Sequence, residues 1–177
     1  LGYSVEHIDF IPKKIEQKKT LRQLSISILA VLGIKSWLKY MLGKKEYIKP
    51  TVIGCEVFEK FRDVWVARSQ QTYTASQQLN TVGTTYSAVV VGSDQVWRPN
   101  MFVNKHQDVD AYFLSFLSDS VTRVSYAASF GVDKWEETSD SILSDRVRKA
   151  MSKFNAISVR EQTGVAICRD HFGVTAQ

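Results

Sequence analysis

Polar and charged side chains follow three apolar runs of this sequence, at the point where each run ends. Asp94 comes just after Gly92 and the run at 89–91, Ser129 ends the run at 123–129, and Arg160 follows the run at 156–159. If these runs are parallel strands, their carboxyl ends lie at one edge of a sheet, where open α/β folds bind ligands. A carboxylate facing a guanidinium there can transfer protons on an anionic substrate. The sequence therefore predicts a site formed by Asp94 as the catalytic group and by Ser93, Gln95, Trp97, Ser125, Ser129 and Arg160 as binding groups.

Each of these candidates also has an ordinary structural explanation. A polar residue of the loop after Gly92 could cap a following helix, but Pro99 would interrupt that helix within two turns, which favours a polar loop. Arg160 could begin a helix, or it could form a salt bridge with Glu161 or Asp94 that only holds the loop together. Tyr126 lies in an apolar run and is expected in the core rather than in the site.

Several common kinds of site are not indicated. The loop after Gly92 lacks the spaced glycines of a dinucleotide-binding loop and the Gly-Lys pair of a P-loop, which argues against hydride transfer and nucleotide hydrolysis. Cys55 and Cys168 are far apart and have no Cys or His neighbour at ligand spacing. Neither a disulfide framework nor a zinc site is predicted, a reducing cytoplasm fits, and no metal or cofactor is expected.

Strands and helices alternate around the candidate residues. Apolar runs predict strands at 88–91, 123–129 and 156–159, and the alternation of Tyr112, Leu114 and Phe116 predicts another at 111–117. The strand at 88–91 has no polar alternation, so it is expected to be central and covered on both faces. Helical spacing predicts helices at 56–65, from Ser139 or Asp140 to Phe154, and at 162–171 with Gly173 as the stop. This order predicts an α/β fold with a parallel sheet.

The net charge of +5 comes from the first part of the chain. Residues 1–50 contain 10 Lys and Arg against 4 Asp and Glu, whereas the remainder contains 13 against 14. Residues 21–42 predict an amphipathic helix whose least polar part, 24–34, is well short of the roughly 20 residues that span a bilayer. We interpret this segment as an ordinary packed helix with a solvated basic face, with no nucleic acid as partner. Peripheral contact with a membrane surface is the alternative.

Three motifs resemble the polysaccharide pyruvyl transferase family. They occur in the family's order and spacing, and the weaker likeness of residues 2–10 and 58–61 extends the resemblance to most of the chain except about residues 12–50. The motifs are Gly92-Ser93-Asp94-Gln95-Val96-Trp97 with Pro99, Val124-Ser125-Tyr126-Ala127-Ala128-Ser129-Phe130-Gly131, and Ile157-Ser158-Val159-Arg160-Glu161.

The resemblance implies a Rossmann-like parallel sheet with flanking helices, as the first of two domains in a glycosyltransferase-B-like arrangement. Residues 1–177 would then be a single incomplete N-terminal domain. A first strand and helix would precede it, and a second domain with the family's donor-binding Arg and His would follow it. Residues 1–177 alone would lack transferase activity.

The implied reaction transfers a pyruvyl group from phosphoenolpyruvate to two sugar hydroxyls and forms a ketal, in cell-surface polysaccharide biosynthesis. The acceptor would be a polysaccharide or its lipid-linked precursor, in the cytoplasm or at the inner face of the membrane, and phosphoenolpyruvate would be a co-substrate. Asp94 would move a proton or orient the acceptor, and Trp97 would either stack on a sugar or lie buried under the loop. Two alternatives stay open: a nucleotide-sugar glycosyltransferase of the same architecture, and a non-catalytic relative that acts as a binding module.

Overall fold

A computed structural model describes residues 2–14, 55–137 and 139–177 of the 177-residue chain. The chain divides into two compact units, one of Leu1–Lys14 with Arg68–Gln177 and one of Ile15–Ala67. The helix predicted at 21–42 lies outside the described residues. In the second unit the structure describes helix α1 (Cys55–Trp65), as its spacing predicts, and the apolar side chains of α1 are exposed. None of the helices in the described part of the chain is both long and apolar enough to cross a bilayer.

The first unit is built on a parallel sheet of three strands in the order β1-β2-β3. The strands are β1 (Ala88–Val91), β2 (Thr122–Ala128) and β3 (Ala156–Val159). The end of the described chain continues this pattern, because the Gln177 N–H donates to the carbonyl oxygen of Ile157 and the Gln177 carbonyl accepts from the Val159 N–H, at 3.0 and 2.9 Å. The predicted α/β fold with a parallel sheet is confirmed.

Helices connect the strands. Between β1 and β2 lie a short 3₁₀-helix (Pro99–Met101) and α2 (Lys105–Tyr112), and α3 (Ser141–Met151) joins β2 to β3. After β3, α4 (Gln162–Ile167) continues as a π-helix (Cys168–Phe172) and ends at Gly173, whose φ is +69°. The Asp140 side chain caps α3 by accepting from the Leu143 N–H at 2.9 Å. Both the cap and the glycine stop occur where the sequence predicts them.

The core lies between one face of the sheet and the helices. Its largest fully buried side chains include Trp97, Phe113, Phe130, Leu143 and Met151. Apolar residues of β1 and β3 meet the helices on this face, because alternate residues of a strand point the same way. Trp97 and Phe130 belong to the segments that follow β1 and β2, so part of the core lies against the chain at the strand ends.

The opposite face of the sheet corrects two predictions. β1 is an edge strand of the described sheet, and Val90 is 62% exposed, so β1 is not covered on both faces. Tyr126, expected in the core, is 69% exposed. A run of three valines is compatible with a strand that is buried on one face and with a strand that is buried on both. The sequence could therefore not distinguish the two arrangements.

The strand predicted at 111–117 is also wrong. Helix α2 extends through Tyr112, and the chain then turns at Leu114, whose φ is +53°. Val109, Phe113 and Leu117 are buried and lie four residues apart, which is helical spacing. The same short apolar run fits both this helical spacing and the alternation of a strand, so the sequence could not distinguish a helix from a strand here.

Candidate functional site

The loop after β1 begins at a residue that only glycine can occupy. Gly92 has a φ of +150°, and a Cβ atom added to it would lie 1.9 Å from the carbonyl oxygen of Tyr126. The backbone of β1 therefore passes against the backbone of β2 as it leaves the sheet. This close approach brings Ser93, Asp94 and Gln95 beside the end of β2.

Two backbone hydrogen bonds hold this loop to the chain that follows β2. The Ser129 N–H donates to the carbonyl oxygen of Asp94 at 2.9 Å, and the Trp97 N–H donates to the carbonyl oxygen of Ser129 at 3.1 Å. Ser93 and Asp94 are exposed, while Gln95 is half-buried. The predicted polar loop is confirmed, and its backbone position is fixed by the strand next to it.

Trp97 is a core residue in this structure. Its side chain is 0% exposed, its indole N–H donates to the carbonyl oxygen of Tyr112 at 3.1 Å, and its ring stacks on Phe113 with centroids 5.5 Å apart. A ring without accessible surface cannot stack on a sugar, so the prediction that Trp97 binds substrate is wrong and the alternative of a ring buried under the loop is confirmed. The tryptophan instead packs in the core and holds the end of the loop there.

Ser125 is also buried and is not directed at a ligand. Its hydroxyl donates to the carbonyl oxygen of Ser158 and accepts from the Ser158 N–H, both at 3.0 Å. These two bonds join β2 to β3 where the register of the pair shifts, between Ser125 and Ala128. The hydroxyl is used within the sheet, so the prediction that Ser125 binds substrate is wrong.

The structure brings together the predicted residues Asp94, Ser129 and Arg160. One guanidinium nitrogen of Arg160, Nη1, lies 3.5 Å from Oδ1 of Asp94, and Nη2 donates to the hydroxyl of buried Ser129 at 3.2 Å. The Asp94 carboxylate also accepts from the N–H of Gln95 at 2.8 Å. A carboxylate and a guanidinium thus lie side by side at the strand ends, as the sequence predicts.

The carboxylate of Glu161 contacts two members of this cluster, Ser129 and Arg160. Its Oε1 accepts from the Ser129 hydroxyl and from the Phe130 N–H, both at 2.9 Å, and from the Gly131 N–H at 3.3 Å. Its Oε2 lies 3.8 Å from Nε of Arg160. Sequence reasoning considered Glu161 only as an ion-pair partner of Arg160 and missed its bonds to the loop after β2.

Gln95 lies against a second arginine at the same edge. Its side chain packs on Gly131, whose φ is +65° and where an added Cβ would come within 2.4 Å of the Gln95 carboxamide carbon. Arg98 donates through Nη1 to Oε1 of Gln95 at 3.4 Å, and through Nε and Nη2 to Glu136 at 3.1 and 2.9 Å. Gly131 thus leaves the space that the Gln95 side chain occupies.

The two arginines at this edge are neutralised to different extents. Hydrogen bonds from Arg98 hold the pKa of the Glu136 carboxyl below its usual value, and the same bonds raise the pKa of Arg98. This fork-to-fork pair uses the geometry with which an arginine would bind a ligand carboxylate or phosphate. Arg160 is 50% exposed and has carboxylate oxygens at 3.5 and 3.8 Å, so Arg160 is the better placed of the two to accept an anion.

A family model described as polysaccharide pyruvyl transferase matches residues 1–176, which is nearly the whole chain. The chain belongs to the polysaccharide pyruvyl transferase family. No curated protein and no solved structure is similar enough to this chain to count as a match. The family identifies the protein as related to transferases that act on polysaccharides, and the resemblance carried by the three sequence motifs is confirmed.

In this pyruvyl transferase relative, the cluster lies on an open surface. A groove of about 570 Å³ runs beside β1 and the segment from Tyr3 to Phe10, and its lining does not include Asp94 or Arg160. Within the described ranges, no three His, Cys, Asp or Glu side chains are placed to hold a metal ion together. The described strand ends bring together the carboxylates of Asp94 and Glu161, the guanidinium of Arg160 and the hydroxyl of Ser129.

Proposed function

We propose that this chain supplies part of the active site for transfer of a pyruvyl group from phosphoenolpyruvate to two hydroxyls of a sugar. The observation that carries the proposal is the pairing of Asp94 with Arg160 at the strand ends of a member of the polysaccharide pyruvyl transferase family. The acceptor would be a polysaccharide or its lipid-linked precursor, modified in the cytoplasm or at the inner face of the membrane. The described sheet would be part of a Rossmann-like first domain in a glycosyltransferase-B-like arrangement.

The proposed reaction defines what the side chains must do. Carbon 2 of phosphoenolpyruvate loses its bond to the phosphate oxygen and gains bonds to two sugar oxygens, while its methylene carbon takes up a proton and becomes a methyl group. Of the two protons that the hydroxyls lose, one balances the new methyl group and the other leaves with phosphate. The reaction therefore needs a cation for the donor's charges and groups that move protons.

Arg160 and Asp94 are suited to these two roles. The Arg160 guanidinium would hold the carboxylate or the phosphate of the donor, which match its planar pair of donors. Asp94, whose carboxylate lies 3.5 Å from that guanidinium, would accept a proton from an acceptor hydroxyl or orient it. Ser93 and Gln95, on the same loop, would bind the acceptor.

Replacement of Arg160 by lysine in the intact protein tests the proposal. Lysine keeps the charge but loses the planar pair of donors, so we expect Arg160→Lys to lower kcat/KM for phosphoenolpyruvate by about 10-fold or more with little change in Tm. Steady-state kinetics with varied phosphoenolpyruvate measure this effect.

Arg146→Lys is the matched control. Arg146, on α3, is also partly exposed, and its Nη2 lies 2.9 Å from Oδ2 of Asp110 on α2. It lies outside the strand-end cluster. The control should leave donor kinetics unchanged. A lower Tm with unchanged donor kinetics in Arg160→Lys would assign Arg160 to the scaffold and would remove the main support for the proposal.

A further inference from the structure

Glu161 lies behind the exposed groups of the cluster. Its Oε1 is within hydrogen-bond distance of three donors: the Ser129 hydroxyl, the Phe130 N–H and the Gly131 N–H. All three belong to the chain that leaves β2, and Glu161 itself follows β3. One carboxylate oxygen therefore links the ends of two neighbouring strands.

These contacts dictate the direction of the Ser129 hydroxyl. Arg160 Nη2 and the Gly131 N–H point at Oγ from 3.2 and 2.9 Å, and both can only donate. The hydroxyl proton must therefore go to an acceptor, and the Glu161 carboxylate provides it at 2.9 Å. With its proton held there, Oγ has its lone pairs available to the arginine.

The guanidinium of Arg160 is consequently held on three sides. Nη2 bonds to the Ser129 hydroxyl, Nη1 faces Asp94 at 3.5 Å, and Nε faces Glu161 at 3.8 Å. The bond to Ser129 is the shortest of the three, and it is made by a residue with no exposed surface. Ser129 is thus one of the groups that orient the arginine, and the orientation of the Ser129 hydroxyl depends on Glu161.

We infer that Glu161 is a positioning residue that orients Arg160 for the donor through the Ser129 hydroxyl. This inference rests on the proposed function for its kinetic consequence, because a fixed guanidinium meets the donor without a loss of side-chain entropy. A purely structural Glu161 would affect only the stability of the loop after β2. The two roles differ in what happens to Arg160 when the carboxylate is neutralised.

The test compares Glu161→Gln, Ser129→Ala and the double variant in the intact protein. Neutral hydrogen bonds are weaker than those of a carboxylate, so we expect Glu161→Gln to raise KM for phosphoenolpyruvate by about 10-fold. Ser129→Ala should do the same, and it leaves the bonds of Glu161 to the Phe130 and Gly131 N–H groups in place. Both substitutions break the chain of contacts through Ser129, and Glu161→Gln also weakens the direct pair of Glu161 with Arg160, so the double variant should be about as impaired as Glu161→Gln alone.

Ser125→Ala provides the matched control for Ser129→Ala. Both hydroxyls are buried at the β2–β3 junction and bonded across it, but Ser125 bonds only to the backbone of Ser158. This control should lower Tm without changing the donor KM. A donor KM that is unchanged in Glu161→Gln, or effects that multiply to about 100-fold in the double variant, would overturn the inference.

A measurement without substrate separates this inference from the proposed function. The side-chain Nε–Hε signal of Arg160 in NMR relaxation experiments reports whether the guanidinium is ordered. We expect it to be ordered in the wild type and Ser125→Ala, and mobile in Glu161→Gln and Ser129→Ala. Equal order in all four proteins would overturn the positioning role, whereas absent turnover of phosphoenolpyruvate by the wild type would reject only the proposed reaction.

Discussion

Asp94 presents its carboxylate to solvent directly beside Arg160. Its side chain is 86% exposed, while its backbone carbonyl is fixed by the Ser129 N–H at 2.9 Å. The backbone is therefore held by the sheet, and the side chain remains accessible to a ligand. A substrate hydroxyl could therefore reach this carboxylate, as the proposed role of Asp94 in proton transfer requires.

We expect Asp94→Asn to lower turnover by about 10²-fold or more, which is the usual effect of losing a general acid or base. Asparagine keeps the shape of the side chain and can still accept a hydrogen bond, so Tm should change little. Initial rates at saturating substrates, together with thermal melts, measure both quantities.

Asp145→Asn is a control for this change of charge, because Asp145 is an exposed carboxylate paired with Arg148 on α3. It should leave turnover intact. Normal turnover in a folded Asp94→Asn protein would show that Asp94 has no part in proton transfer.

The connection from α2 to β2 is held together by a buried arginine. The Arg123 guanidinium donates to the carbonyl oxygens of Ser118, Leu114 and Val121 at 3.1, 3.4 and 3.4 Å, and to that of Leu117. These carbonyls belong to the turns that follow α2, where backbone groups have no partner in a regular helix. One side chain of β2 thus donates hydrogen bonds to several carbonyls of the irregular segment between α2 and β2, which includes most of the predicted strand at 111–117.

Replacement of Arg123 by methionine should therefore destabilise the protein. Methionine fills much of the same volume but removes the hydrogen bonds of the guanidinium to these carbonyls, including that of buried Leu117, and hydrogen bonds to a charged group contribute about 1.5–3 kcal/mol each. We expect a loss of about 3 kcal/mol or more in the free energy of unfolding, which lowers Tm by roughly 10 °C for a chain of this size. Thermal unfolding followed by circular dichroism measures the shift.

Arg169→Met serves as the comparison for Arg123→Met. Arg169 is exposed and pairs with its neighbour Asp170. Its replacement should leave Tm nearly unchanged. Equal Tm values for the two variants would mean that the buried bonds of Arg123 contribute little to stability.

The two cysteines report on the packing of the molecule as a whole. Cys168 is fully buried in the core of the first unit, and burial raises the pKa of its thiol to about 12, whereas Cys55 is exposed. The thiolate is the reactive form, so Cys168 lacks both access and ionisation at neutral pH. Only Cys55 should react with a thiol reagent in the folded protein.

Labelling of Cys168 should therefore follow global unfolding. We expect one thiol to react rapidly at pH 8 without denaturant, and the second to react only as denaturant unfolds the core, in step with the loss of circular dichroism. Mass spectrometry of labelled peptides identifies which cysteine has reacted. Rapid native labelling of Cys168 would show that the core of this unit opens far more easily than its packing implies.

The whole molecule also shows which kinds of prediction the sequence supports. Glycine and polar residues after apolar runs correctly indicated three strand ends, because the covalent order of the chain decides where a strand stops. The helix cap at Asp140 and the helix end at Gly173 could also be predicted from the sequence, since each depends on a few neighbouring residues. The same local information placed Asp94, Ser129 and Arg160 at one edge of a parallel sheet.

Tertiary structure alone decided which of these side chains face solvent. The sequence suggests that Trp97 and Ser125 bind a ligand. In the structure the Trp97 indole donates to the last residue of α2 and the Ser125 hydroxyl donates to β3, so neither group is free to bind one. The exposure of Val90 and Tyr126 likewise depends on which strands and helices cover the sheet. Glu161 acquires its contacts only when β2 and β3 lie side by side, because it reaches residues about thirty positions earlier in the chain. Burial and long-range hydrogen bonds are properties of the packed fold, and the sequence determines them only through that fold.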